Sequence, residues 1–265
     1  MAFYRPDSDL NQALAAVLED LKATRPALDE QLSITWLVYD SSPIDLAAAL
    51  DSQDVWSLPI RGAAHRSDQQ RYPASVVKLA YAMAVEQWLA RDLLLESPEL
   101  RRAMQDMIGD SSNDATSLVM DLLSGTTSGP ELPPDPFSSW ARQRQLVNQW
   151  FASLGWPEWQ GSNACQKTWG EGPYGRERQF YGAEMENRNR LSTDITARML
   201  HAVLTGAWVS PLASARLRDL LSRSLDLAER KADPENQVDG FLGGGLPVGS
   251  RLWSKAGWVS QARHD

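Results

Sequence analysis

Residues 71–90 read RYPASVVKLAYAMAVEQWLA, and the rest of the chain is read outward from them. From Ala74 to Ala90 the stretch is apolar on nearly all sides, the pattern of a helix buried in a core rather than laid on a surface. One charged residue breaks the early part of that pattern: Lys78, between Val77 and Leu79. Ser75 precedes it by one helical turn, so both side chains fall on one helix face. A serine hydroxyl needs a base to become a nucleophile, and a lysine can serve when a dry setting depresses its pKa. On this tetrapeptide alone a second account stands equally: Lys78 reaching for solvent along its own stem, with Ser75 capping the helix.

Two further patterns shift the balance. Ser111-Ser112-Asn113 sits at a break between two helical segments, PELRRAMQDMIGD (98–110) and NDATSLVMDLLSG (113–125). Lys255-Ala256-Gly257 sits in RLWSKAGWVSQ (251–261), which reads as a final strand. Each is weak alone. Ser-x-x-Lys, Ser-x-Asn and Lys-(Thr/Ser/Ala)-Gly each occur once, in this order, at a helix start, an interhelix loop and a strand.

Together they resemble the Ser-x-x-Lys, Ser-Asp-Asn and Lys-Thr-Gly motifs of class A β-lactamases and penicillin-binding proteins. The flanking text resembles that family too: Tyr-Pro-Ala-Ser-Val-Val-Lys before the nucleophile helix, Ser-Asn-Asp-Ala-Thr-Ser-Leu from loop to helix, and Leu-Ser-Thr-Asp-Ile-Thr-Ala-Arg-Met-Leu after the omega loop. The likeness runs over roughly residues 30–262. It implies that Ser75 attacks a lactam, amide or ester carbonyl and that Lys78 handles its proton. It further implies that Ser111 passes a proton to the leaving nitrogen, that Asn113 binds a substrate amide, and that Lys255 attracts a substrate carboxylate. The backbone N–H groups of Ser75 and Trp258 would form the oxyanion hole, with Ala256 and Gly257 lining the substrate side.

The chain departs from the family at five places. Ser112 stands where Asp is usual, and Ala256 where a hydroxyl helps to hold the substrate carboxylate, which predicts weaker penicillin recognition or another substrate. The interval between Ser75 and Ser111 is short for the family. The deacylating Glu-x-x-Leu-Asn string is absent; Glu184 and Glu186, just before Asn187, are the nearest substitutes, beside the plain account of solvated loop carboxylates. Two more strands and a helix normally follow the last motif, where this sequence reads Arg263-His264-Asp265. The expectation is a truncated product with a gap in its sheet and poor stability on its own.

The remaining segments fill in an α+β fold of the β-lactamase/transpeptidase type, an antiparallel sheet flanked by helices plus an all-helical lobe. Helices are expected at 9–23, 141–155, 191–206 and 211–225, and strands at 32–40 and, more weakly, 54–61. Residues 126–136, 156–190 and 240–247 read as irregular. One domain spans 1–265, with a sheet lobe from about 1–72 and 207–265 and a helical lobe from about 73–206. Eleven tryptophans read mainly as core packing, with a carbohydrate-lining role as the alternative.

Composition narrows the function classes. With 265 residues, 43% hydrophobic and 23% charged, the chain can build a sizeable core. A net charge of −8 and the absence of basic runs argue against a nucleic-acid partner. No signal peptide and no membrane-length apolar run is visible, so the expectation is a cytoplasmic protein without a membrane partner, or a periplasmic one if a signal was removed. The lone Cys165 excludes an intrachain disulfide and reads as a small hydrophobe. Gly240-Phe-Leu-Gly-Gly-Gly lacks the Lys-Ser/Thr of a phosphate loop. No metal and no cofactor is indicated, and the partner is a small-molecule substrate. The leading activity is β-lactam hydrolysis. The alternatives are a D-Ala-D-Ala carboxypeptidase, esterase or amidase, and a degenerate binder without turnover.

Overall fold

A computed structural model of the chain describes residues 3–28, 30–47, 54, 59–247, 249–259 and 262–264. The chain opens with a two-residue strand β1 (Arg5–Pro6) and helix α1 (Ser8–Thr24), whose Asp7 cap accepts from the Asp9 and Leu10 N–H groups. Strand β2 (Ile34–Val38), a short helix α2 (Pro43–Ala47) and strand β3 (Arg61–His65) follow. The sheet order is β1-β3-β2, with β2 antiparallel to β3 in the register Ile34↔His65 to Val38↔Arg61. β1 joins β3 in parallel, through Arg5 N to Ile60 O at 2.8 Å and Asp7 N to Gly62 O at 3.0 Å, so the sheet expected to be antiparallel is mixed. Of the expected strand 54–61, residues 55–58 lie outside the described residues; the described strand in this stretch is β3, which begins at Arg61 after Pro59. RGAAH has little β propensity of its own, and pairing with β2 decides its conformation.

The core is helical. A 3₁₀ turn (Ala74–Val77) leads into α3 (Lys78–Ala90), which is buried on nearly every face from Lys78 to Trp88. Around it pack α4 (Pro98–Ile108) and α5 (Asn113–Ser124), with further helices α6 (Pro134–Arg144), α7 (Leu146–Ser153) and α8 (Gly175–Tyr181). Then come α9 (Thr193–Leu204) and α10 (Pro211–Leu221). Ser97, Ser112, Ser192 and Ser210 each cap a helix by accepting a backbone N–H, and Gly125, at φ 63°, ends α5 in the left-handed region. The helix expected over 141–155 is two: α6 starts earlier, because Pro134 at its first turn is no breaker, and the chain kinks at Gln145.

Tryptophans do serve the core here. Trp88, Trp150 and Trp208 meet edge to face, with Trp150 centred 5.3 Å from each of the other two. Phe151 stacks on Trp159 at 4.3 Å. Among the described residues, no helix is long and apolar enough to cross a membrane.

After α10 come strand β4 (Ser222–Arg223) and helix α11 (Leu227–Ala232). The expected final strand 251–261 is broken. β5 (Leu252–Trp253) pairs with β4, residues Ser254–Ala256 leave the ladder, and β6 (Gly257–Val259) turns back on β7 (Ala262–His264). Both pairs are two-stranded pieces separate from the β1-β3-β2 sheet.

Candidate active site

The helix start at residues 74–78 is built under constraint. Ala74 has φ 47°, a left-handed conformation that a residue with a β-carbon adopts at a cost, immediately before Ser75. Strand β6 runs directly against this turn. A β-carbon on Gly257 would sit 2.8 Å from Ser75 N and 2.9 Å from Pro73 O, so only glycine allows the approach. Trp258, the next residue along the strand, is 63% exposed.

Lys78 is fully buried, and its ammonium reaches away from the apolar helix face. It donates to Ser111 O, to Asn113 Oδ1 at 3.0 Å and to Ser111 Oγ at 3.3 Å. Burial among apolar side chains lowers its pKa from 10.5 to about 7. Ser111 makes this geometry possible through a second left-handed residue, with φ 59° in the break between α4 and α5. That twist turns its carbonyl and its hydroxyl toward the same amine. Among the described residues Lys78 Nζ bonds Ser111 and Asn113 rather than Ser75 Oγ.

A second lysine reaches Ser111 from another side. Lys255 Nζ, buried within the segment between β5 and β6, lies 3.0 Å from Ser111 Oγ, 2.5 Å from Gln237 Oε1 and 2.7 Å from Ala256 O. Ser75, Lys78, Ser111, Asn113, Lys255, Ala256 and Gly257, picked from scattered motifs, are thus brought to one place.

Glu184 and Glu186 are not among them. Both are exposed on the turn after α8, and neither bonds to Ser75, Lys78, Ser111 or Asn113. From the same long loop the side chain that does reach the group is Thr168, whose hydroxyl donates to Asn113 Oδ1 at 2.7 Å. The neighbouring Lys167 binds the Asp121 carboxylate at 2.9 Å and Ser128 Oγ at 2.7 Å, and buried Arg144 binds Glu177 at 2.5 Å. This ionic cluster clamps the loop to α5 and so fixes Thr168. Cys165 is fully buried, and burial raises its thiol pKa to about 12, an inert setting for a nucleophile.

Residues 89–265 match the family model described as the β-lactamase enzyme family. That span contains Ser111, Asn113, Gln237 and Lys255; Ser75 and Lys78 precede it. Among solved structures, a β-lactamase from Sphaerobacter thermophilus DSM 20745 superposes with a TM-score of 0.56 at 19% identity, over 92% of this chain and 78% of that one. A β-lactamase from Chitinophaga pinensis DSM 2588 gives 0.51 at 15% identity, over 90% and 78%. At these identities the likeness is one of fold. No protein of curated function matches the chain.

Proposed function

Because this chain belongs to the β-lactamase enzyme family, we propose that it is a serine hydrolase that acts through an acyl-enzyme on Ser75, of the class A β-lactamase type, with β-lactams as the first substrates to test. The observation that carries this reading is the buried Lys78 amine. With a pKa of about 7 it is half unprotonated at neutral pH, as a general base must be, and it is held against Ser111 and Asn113.

The steps follow from the placement of the groups. Ser75 Oγ attacks the carbonyl carbon and Lys78 takes its proton. The backbone N–H groups of Ser75 and Trp258 stabilise the oxyanion. The carbon–nitrogen bond then breaks, Ser111 gives its hydroxyl proton to the leaving nitrogen, and the Lys78 ammonium restores it. Lys255 keeps positive charge beside Ser111 for a substrate carboxylate. Ala256 offers that carboxylate no hydroxyl, which favours substrates less dependent on it and keeps an esterase, amidase or D-Ala-D-Ala carboxypeptidase as the second reading. Water must finally cleave the acyl-enzyme. The loop brings Thr168 rather than Glu184 or Glu186 to the group, so deacylation is slow and the acyl-enzyme long-lived.

Intact-protein mass after incubation with benzylpenicillin or a chromogenic cephalosporin tests this directly. The expected result is one penicilloyl-sized adduct, absent in Ser75→Ala. A folded protein that gains no adduct sinks the β-lactam reading.

A further inference from the structure

Gln237 lies in the irregular segment between α11 and β5, outside every motif, and is only 5% exposed. Its carboxamide is used at both ends. Oε1 accepts from Lys255 Nζ at 2.5 Å and from the Ala256 N–H at 3.1 Å. Nε2 donates to Ile108 O at 2.9 Å and to Gly109 O at 2.5 Å. The partners dictate the orientation of the amide, since two are donors and two are carbonyl oxygens.

Those two carbonyls end α4, where backbone acceptors lack helical partners. They stand just before Ser111. Gln237 therefore ties the loop that carries Ser111 to the segment that carries Lys255. A glutamate there would aim a carboxylate at two carbonyls, and an asparagine would fall short by a methylene. The glutamine oxygen is also neutral, so it orients the Lys255 ammonium without cancelling its charge.

We propose that Gln237 is a positioning residue of the acyl-transfer site: it holds Lys255 against Ser111 and so sets both carboxylate recognition and protonation of the leaving group. The proposal rests on the acyl-transfer reading above and goes beyond it by naming the residue that controls which substrates benefit. Benzylpenicillin carries a carboxylate and a basic leaving nitrogen. p-Nitrophenyl acetate carries neither, because its phenolate leaves without a proton. Loss of the positioning should separate the two.

In Gln237→Met, which keeps length and loses the hydrogen bonds, acylation by benzylpenicillin should fall on the order of 10–100-fold, the effect of losing a hydrogen bond to a charged group. Acylation by p-nitrophenyl acetate should change little. Gln237→Glu should be impaired toward benzylpenicillin at neutral pH and regain part of that loss relative to the wild type as pH falls, because a protonated carboxyl restores an acceptor for Lys255 and one of the amide's two donors. Labelling of Lys255 by trinitrobenzenesulfonate, read by peptide mass, needs no turnover and should rise several-fold in Gln237→Met. Equal losses toward both substrates with unchanged Lys255 labelling would overturn the positioning role, as would no loss in either variant. A wild-type protein that reacts with neither substrate defeats the acyl-transfer reading, and the labelling then still decides whether Gln237 holds Lys255.

Discussion

Two regions of the molecule each deliver a lysine to Ser111 Oγ, and they do so by opposite means. Lys78 comes from the first turn of α3, an element held by apolar contacts on all sides, and the helix itself sets its distance from Ser75. Lys255 comes from three residues that have left one strand and not yet entered the next, and a carboxamide from a remote segment holds it. The first arrangement places an amine by secondary structure and strips it of water, which makes it a base. The second places an ammonium by a hydrogen-bond network, which satisfies its charge. Both lysines are buried and hydrogen-bonded; burial lowers the Lys78 pKa to about 7, so it can give up a proton, while Gln237 Oε1 and Ala256 O fix Lys255 beside Ser111.

The sharpest way to break this contrast is to remove the dry amine. Lys78→Met preserves the bulk of the side chain in α3 and should lower acylation of Ser75 by about 10²–10⁴-fold, the usual worth of a positioned general base. In the wild type the acylation rate should rise with pH through about 7, as Lys78 loses its proton. In Lys78→Met that limb should vanish. A rate–pH profile of adduct formation checks both, and an unchanged limb in the variant would assign the base to another group.

His201 extends the same argument from reactivity to stability. It is 2% exposed on α9, lies 3.0 Å from Tyr39 Oη, and burial lowers its pKa from 6.5 to about 4. Its folded-state pKa is depressed, so between those values the unfolded chain binds the proton and the folded protein does not. Stability is therefore present above pH 6.5 and lost as pH falls toward 4, by about 3 kcal/mol for this group. Urea unfolding at pH 7 and near pH 4.5 should show a smaller drop for His201→Gln than for the wild type. Parallel drops would remove His201 as the cause.

What the sequence made legible follows the same divide. Ser75 and Lys78 could be read because one helical turn fixes their relation, and Ser111 and Asn113 because Gly109 and Ser112 punctuate two strongly periodic helices. Lys255 could be picked out by its motif, but its path could not. A single strand was the natural reading of RLWSKAGWVSQ, and only the need to bury the lysine beside Ser111 breaks it. Gln237 left no signal, since its partners Gly109 and Lys255 are 128 and 18 residues away. Buried Arg144 was hidden likewise, because Asp121 and Glu177 reach it from other helices. Proximity to Asn187 in the chain points to Glu184 and Glu186, whereas the ionic clamp at Lys167 decides which loop side chain turns inward.

The smallest expected effect concerns Ser112, which stands between the two residues that Lys78 binds. Read from the motif, it is the place where a family aspartate is missing. In the fold it is the cap of α5: its Oγ accepts from Ala115 N at 3.1 Å, and its carbonyl accepts from the Thr116 hydroxyl at 2.6 Å. An aspartate fills the same cap, so the exchange preserves the local job and Ser112→Asp should leave the melting temperature nearly unchanged. Ser112→Ala removes the acceptor and should cost about 1 kcal/mol. Because α5 begins at Asn113, fraying there should also loosen the Asn113–Lys78 bond, so acylation should slow slightly in Ser112→Ala and not in Ser112→Asp. Thermal melts and adduct rates of the two variants side by side check this. An aspartate variant as impaired as the alanine would mean that Ser112 does more at this site than start a helix.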